Sequence, residues 1–332
     1  APMRIATIIA AIAGLVLGTA IVAYFGFGEV LAALGAIGWS GFAVILVYQL
    51  ALYLLLGACW WVIAPTPRDR FRAYVWGRLV RDSGSEVLPL SQIGGFVMGA
   101  RAATLLGPST AVSTATTMVD VTIEVLAQLG YTVLGLALFA RIHPQAELIY
   151  PVAIGIAIGI VAILGFILLQ RRGAALVERM SQRLAARWFR GNALSARPLI
   201  EAIDRVYAQR GSLVAGFFLH LGGWIANAIE AWIALKLMGI DLGIAAVVTI
   251  ESLLYAIRSV AFAIPNAVGV QEGGYVMLGA VFGLSPETAL ALSLLKRGRD
   301  ITIGVPVLLL WQGLEGGALM RRRAATDTDR TP

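Results

Sequence analysis

The chain has 332 residues, 59% of them hydrophobic and only 14% charged, with a formal net charge of +7. That balance excludes a soluble globular domain and places the chain among polytopic α-helical membrane proteins. Lys236 and Lys296 are the only lysines, so arginine carries the positive charge, and the positive-inside rule accounts for it without a nucleic-acid partner.

Arg4 precedes the first apolar span, 5–27, which is too long for a signal core, lacks a clear cleavage site and reads as a membrane helix. The connection 28–41 holds Glu29 as its only charge and reads as non-cytoplasmic. The second span, 41–64, contains the single cysteine, Cys59, so no intrachain disulfide can form, and it stops at Pro65-Thr66-Pro67. Arg68, Arg70, Arg72, Arg78 and Arg81 then mark the cytoplasmic side. A first hairpin, roughly 74–106, enters from there and returns. The third span is 108–140, and His143 and Pro144 lead into the fourth, 149–170.

The stretch 171–210 is the only substantial polar one. Leu176, Met180, Leu184 and Trp188 recur every fourth residue beside Arg179, Arg183 and Arg187, the pattern of a basic amphipathic helix. It suits an interfacial connector or a surface that recruits anionic lipid. The fifth span is 212–238, and a short connection with Asp241 leads to a second hairpin, roughly 244–283, opening toward the outside. The sixth span, 285–319, contains Pro306 as an expected kink, and Arg321-Arg322-Arg323 puts the C-terminus inside. One transmembrane domain thus covers 4–323, followed by a disordered cytoplasmic tail, 324–332.

The second hairpin begins as an apolar helix carrying Arg258, breaks at Pro265 and Gly269, and restarts at Glu272. Neither half reaches the roughly 20 residues needed to cross a hydrocarbon core of about 30 Å, so the pair reads as re-entrant, with its tip buried in protein or lining a wet cavity. The first hairpin is a degraded copy: arginine at Arg81, proline at Pro89, Gln92, and the pair Gly94-Gly95. Gln92 and Gln271 are offset by 179, Pro108-Ser109-Thr110-Ala111 and Pro286-Glu287-Thr288-Ala289 by 178, and Asp120-Val121-Thr122-Ile123 and Asp300-Ile301-Thr302-Ile303 by 180. Chance matches would not share an offset, so 41–140 and 212–319 form an internal repeat. One copy starts from outside and the other from inside. The expected fold is therefore an all-α polytopic membrane protein with about six transmembrane helices and two re-entrant helical hairpins arranged as inverted repeats, a pattern that points to a transport site near the midplane.

Ionisable groups inside membrane helices default to functional candidates. Asp120 and Glu124 lie one turn apart on the third span and repel, so at least one requires a cation or a proton. The last span holds Lys296, Arg297, Arg299 and Asp300, for which a purely structural reading is a Lys296–Asp300 pair plus a bridge to Asp120 or Glu124. The hairpins add Arg81, Asp82, Glu86 and Arg101 in one copy and Glu251, Arg258, Gln271 and Glu272 in the other. Glu86 and Glu272 sit near the breaks, where freed N–H groups stabilise a carboxylate or a substrate anion, and Glu272 equally suits a helix cap. Arginine forks suit phosphate. The expected site is a central cavity in which Arg101, Arg258 and Arg297 hold an anionic headgroup, with Asp120, Glu124 and Glu272 as counter-ions or proton carriers. Arg81, Glu86, Gln271, Arg299 and Asp300 complete the substrate-binding set. His220, Asn227 and Glu230 form a weaker group on the fifth span. His143 and His220 lie in different segments, and no metal-ligand spacing, catalytic triad or nucleotide fingerprint stands out, so no metal, cofactor or catalytic residue is expected. Gly222-Gly223 and Gly316-Gly317 read as close-packing points between helices.

Leu88-Pro89 with Gly94-Gly95 and Arg101, the run from Ile264-Pro265-Asn266 to Gln271-Glu272, and a basic residue at Arg297 or Arg299 carry a resemblance over nearly the whole chain, up to Arg323. The sequence resembles the membrane domain of lysylphosphatidylglycerol synthetases, the flippase part of the multiple-peptide-resistance-factor family, and within it the stand-alone branch associated with hopanoid biosynthesis. The resemblance implies a non-enzymatic transporter that moves a polar or anionic lipid, hopanoid or phospholipid, between the leaflets of a bacterial inner membrane with both termini cytoplasmic. Its partners would be membrane lipids, not nucleic acid, and its small-residue faces permit a homo-oligomer. No aminoacyl-transfer domain follows Arg323, so synthesis of an aminoacyl lipid is not expected. The competing readings are recycling of a polyprenyl-phosphate carrier, an integral-membrane enzyme of lipid modification, and a scaffold acting through the basic stretch 171–210.

Overall fold

A computed structural model of the chain describes residues 35–65, 70–88, 92–144, 197–260 and 267–328, with a few scattered positions at 32 and within 154–165. The first and fourth spans, the basic pattern 176–188 and the tips of both hairpins, including Pro89 and Pro265, lie outside the described residues.

The described residues form helices without strands. In order they are α1 (Gly38–Ile63), α2 (Phe71–Val87), α3 (Gln92–Thr104), α4 (Thr110–Ile142), α5 (Arg197–Ala208), α6 (Arg210–Leu237), α7 (Ile244–Val260), α8 (Val270–Val281) and α9 (Pro286–Thr328). The spans expected at 41–64, 108–140 and 212–238 are α1, α4 and α6, and these three are long and apolar enough to cross a membrane. α9 carries Lys296, Arg297, Arg299 and Asp300 in its first half, continues through Pro306, and runs on to Thr328, past the point at which the sequence suggests a disordered tail.

The internal repeat appears in the element order. A long helix, a helix of 17 residues, a short helix and a second long helix occur as α1–α4 and again as α6–α9. The two leading helices pack against each other. Gly41 meets Leu237, the Tyr48 hydroxyl donates to the carbonyl of Ala226 at 2.8 Å, Gly223 meets Leu56 and Gly216 meets Ile63, so α1 and α6 run antiparallel. Corresponding helices pointing in opposite directions are what an inverted repeat requires.

Each short pair is laid side by side by glycine. A Cβ on Gly99 would come within 2.8 Å of the Gly77 carbonyl oxygen, and one on Gly95 within 2.6 Å of that of Arg81, which brings α2 and α3 into backbone contact, antiparallel. In the second copy, a Cβ on Gly274 would meet Leu254 at 2.5 Å, closing α8 on α7. α8 opens at Gly269, whose φ of 81° suits glycine, and the Glu272 carboxylate accepts the Gly269 N–H at 2.7 Å, so Glu272 caps its helix. The glycine pairs singled out in the sequence are less informative. Gly223 is tight against Leu56, whereas Gly222, Gly316 and Gly317 meet nothing within 4 Å. Gly222 lies on an outward face, where a missing side chain brings no neighbour closer.

The copies interlock. α7 packs on α4, where Ser252 fills the space beside Gly135, and α2 packs on α9, where Gly304 receives Val87 and Ser83. One apolar core joins Ile45 of α1 to Leu235, Ile250, Leu254, Tyr275 and Leu292 of the second copy. The other joins Trp60, Ile63, Tyr74, Val119 and Ile123 to Val206 of α5 and Phe217 of α6. Outward-facing Val47, Leu54, Phe218, Leu309 and Leu310 are exposed, the surface expected of helices solvated by lipid. Between the copies remains a cavity of about 850 Å³.

Candidate functional site

The cavity is built around charges that the sequence places on different helices. On α2, Arg78 and Arg81 lie three residues apart and project the same way, with Asp82 one turn beyond Arg78. The Arg78 Nε donates to Asp82 at 2.8 Å and its Nη2 to Glu124 of α4 at 2.6 Å. The Arg81 Nη1 donates to Asp120 at 2.7 Å, and its Nη2 pairs with Glu124. His220 of α6 closes the group, with its Nε2 2.9 Å from Asp120 Oδ1. Asp120 and Glu124, which repel by spacing alone, are thus held together by two guanidiniums. Phe96 of α3 lies under the Arg81 guanidinium, 4.6 Å from it.

The second copy carries a charge arrangement of opposite polarity. Its hairpin helix α7 provides a carboxylate, Glu251, wholly buried, and α9 provides the cation, with Lys296 Nζ 2.6 Å from Glu251. The Tyr275 hydroxyl donates to the other side of the same carboxylate network at 2.6 Å. Lys296 Nζ also lies between the rings of Tyr255 and Tyr275, at 5.9 and 5.7 Å. Arg299 pairs with Glu230 of α6 and with Asp300 at 2.7 Å. Between the copies, the Arg258 Nη2 donates to Glu86 at 3.2 Å, joining the C-terminal ends of α7 and α2.

The predicted residues divide into four groups. Arg81, Glu86, Glu124, Arg258, Gln271, Arg299 and Asp300 line the cavity. Asp120 sits directly behind Arg81. Arg297 and Glu272 form a separate buried pair at 2.6 Å, joined by Ser293 to Gln271. Arg101 is remote from the cavity lining: it pairs with Glu315 on α9 at 2.7 Å, both partly exposed. The expected grouping of Arg101, Arg258 and Arg297 about one ligand is therefore replaced by three separate ion pairs. The Lys296–Asp300 pair is replaced as well. An i,i+4 pair contributes only about 0.3–0.5 kcal/mol, whereas leaving buried Glu251 without a cation would cost about 3–5 kcal/mol.

Asp82, Glu251 and Lys296 stand out in the sequence as intramembrane charges and His220 and Glu230 as a weaker group, but none of them, nor Arg78, belongs to the expected substrate-binding set. Arg78 looked like one more positive-inside arginine. The available signal was its spacing from Arg81 and Asp82, which puts all three on one face. Glu251 was legible as a lone carboxylate within the apolar helix Ile244–Val260.

The orientation of the charges matters chemically. Arg78, Arg81, Arg258, Lys296 and Arg299 line the cavity together with Asp82, Glu86, Glu124 and Asp300, while Asp120, Glu230 and Glu251 stand behind the cations and do not line it. Backed in this way, a cation keeps its position and spare N–H donors can face a ligand. The flank along α4 is apolar, with Val121, Val125 and Leu129 at successive turns. Among the described residues, no group of three or more His, Cys, Asp and Glu is placed to hold a metal ion.

An all-helical membrane protein of two antiparallel copies around a charged, partly apolar cavity defines the class. The family description "Lysylphosphatidylglycerol synthase TM region" matches residues 9–308, and the chain belongs to that family. No curated protein and no solved structure matches it. It is a membrane protein of a lipid-related family.

Proposed function

We propose that the protein is a flippase, moving the polar, anionic headgroup of a lipid between leaflets through the cavity between the two repeats. The observation that carries this reading is the set of five cations, Arg78, Arg81, Arg258, Lys296 and Arg299, which shares the cavity lining with Asp82, Glu86, Glu124 and Asp300 beside an apolar flank. A phosphate-bearing headgroup matches guanidinium forks, and the tail can stay along α4 in contact with lipid. At about 850 Å³ the cavity falls within the size range of ligand pockets. In this reading the pairs α2–α3 and α7–α8 are re-entrant, and the Arg258–Glu86 pair bridges them. The membrane is the bacterial inner membrane, both termini are cytoplasmic, and the protein transports without altering its lipid.

The test is transbilayer movement of labelled lipid in proteoliposomes, with hopanoid, phosphatidylglycerol and polyprenyl phosphate as parallel substrates. Arg258→Ala and Arg81→Ala are expected to slow one lipid class by tenfold or more, while Arg101→Ala leaves it unchanged. No movement beyond that in protein-free vesicles, with folded protein, would refute the reading.

A further inference from the structure

The cluster on α2, α4 and α6 is short of positive charge. Two guanidiniums, Arg78 and Arg81, face three carboxylates, Asp82, Asp120 and Glu124, and among the described residues no further arginine or lysine reaches them. Asp120 is wholly buried, and Asp82 and Glu124 are only partly exposed where they line the cavity. A buried, uncompensated negative charge is strongly unfavourable, so the cluster needs one more positive charge.

His220 is placed to supply it. It is 1% exposed, and its Nε2 lies 2.9 Å from Asp120 Oδ1. A carboxylate can only accept, so Nε2 carries the hydrogen and Nδ1 of the neutral ring is a lone pair. That Nδ1 is buried without a hydrogen-bond partner among the described residues, and His220 is part of the cavity lining. An acceptor with no donor beside a cluster lacking one positive charge is a vacancy for a proton.

The geometry points to a proton-binding site at His220 and Asp120, whose proton accompanies the lipid headgroup, so that lipid movement is proton-coupled. This inference rests on the flippase reading. A proton from the cavity adds to Nδ1, imidazole becomes imidazolium, and its Nε2–H continues to donate to Asp120. An anionic headgroup brings negative charge into a region that already holds an excess, and the proton compensates it. The other titratable groups that face the site are Arg78, Arg81 and Asp82 on α2, Glu124 on α4 and Cys59 on α1, which interacts with Asp120. From α7, Tyr255 packs against Trp224, one turn along α6. Lys296 and Arg299 of α9 act further along α6, at Glu230.

Two measurements test the inference. The chain has only two histidines, so in His143→Gln protein the ring-nitrogen NMR signals belong to His220 alone. Acidification should convert one neutral tautomer to imidazolium, and Asp120→Asn should alter that conversion. A ring locked in one form throughout would overturn the site, whether or not the protein moves lipid. In proteoliposomes, one proton moving with one negative headgroup makes a gradient of one pH unit worth about a tenfold shift in the lipid's distribution between leaflets. His220→Gln should abolish that shift. Lipid movement that ignores the gradient in wild-type protein would overturn the coupling and leave the flippase reading intact, whereas absence of movement would count against the flippase reading itself.

Discussion

Replacing Lys296 by methionine removes a charge while preserving the length of the side chain and its contacts with Tyr255 and Tyr275. It leaves Glu251, whose side chain is wholly buried, with the Tyr275 hydroxyl but no cation among the described residues. Removing one partner of such a pair costs about 3–5 kcal/mol, a large share of the roughly 5–15 kcal/mol by which native proteins are stable. At about 2 °C per kcal/mol for a long chain, the unfolding midpoint in detergent should fall by about 6–10 °C. Glu251→Gln in the same chain removes the stranded charge and keeps an acceptor for Tyr275. The double variant should therefore return to within about 1 kcal/mol of wild type, a coupling of at least about 2 kcal/mol across the cycle. The assay is a thermal melt followed by intrinsic tryptophan fluorescence for wild type, both single variants and the double. A loss below about 2 °C for Lys296→Met, or a double variant no more stable than that single, would refute the assignment of Lys296 and Glu251 as a dependent buried pair.

The α2–α3 contact predicts that Gly99→Ala destabilises by about 1–3 kcal/mol, because the new methyl would meet the Arg81 Cβ at 2.6 Å and the Gly77 carbonyl at 2.8 Å. Gly222→Ala meets nothing within 4 Å and should be neutral or gain up to about 1 kcal/mol, so a melt of the two variants separates packing from propensity. Arg101→Ala breaks a partly exposed pair with Glu315 and should cost no more than about 1 kcal/mol, measured the same way. In the connection between α6 and α7, the Lys236 ammonium holds the Asp241 carboxyl below its ordinary range. The pair's contribution is present above the unfolded-state value of about 3.9 and is lost as pH falls through the lower folded value. Lys236→Ala should bring the Asp241 titration back up, as followed by NMR.

The matches that suggest a repeat are legible because they rest on residues that determine backbone shape. Gln92 with Gly94-Gly95 and Gln271 with Gly273-Gly274 recur at one offset, and the spans between them follow from apolar length alone. The charge pairings were not legible. Arg78 and Asp120 are separated by 42 residues, His220 and Asp120 by 100, and Arg258 and Glu86 by 172, and nothing along the chain states which faces will meet. Local spacing favoured Lys296 with Asp300, yet burial of Glu251 on another helix outweighed it. Glycine pairs misled for a related reason: Gly222 and Gly223 are adjacent in sequence but 100° apart around α6, so only one of them faces α1.

The wide sequence separation within the Asp120 cluster also bears on how the chain is made. α2 emerges from the ribosome bearing Arg78, Arg81 and Asp82, and each charge left alone at the centre of a bilayer costs about 2.5–3.5 kcal/mol. Asp82 on α2 itself answers Arg78, but the carboxylates of α4 arrive only some 42 residues later, roughly 2–8 seconds of synthesis, and His220 only 100 residues after Asp120. α2 has no low-energy place among apolar helices until then. It must wait at the interface or within the insertion machinery until those carboxylates arrive, although both arginines are buried in the finished protein.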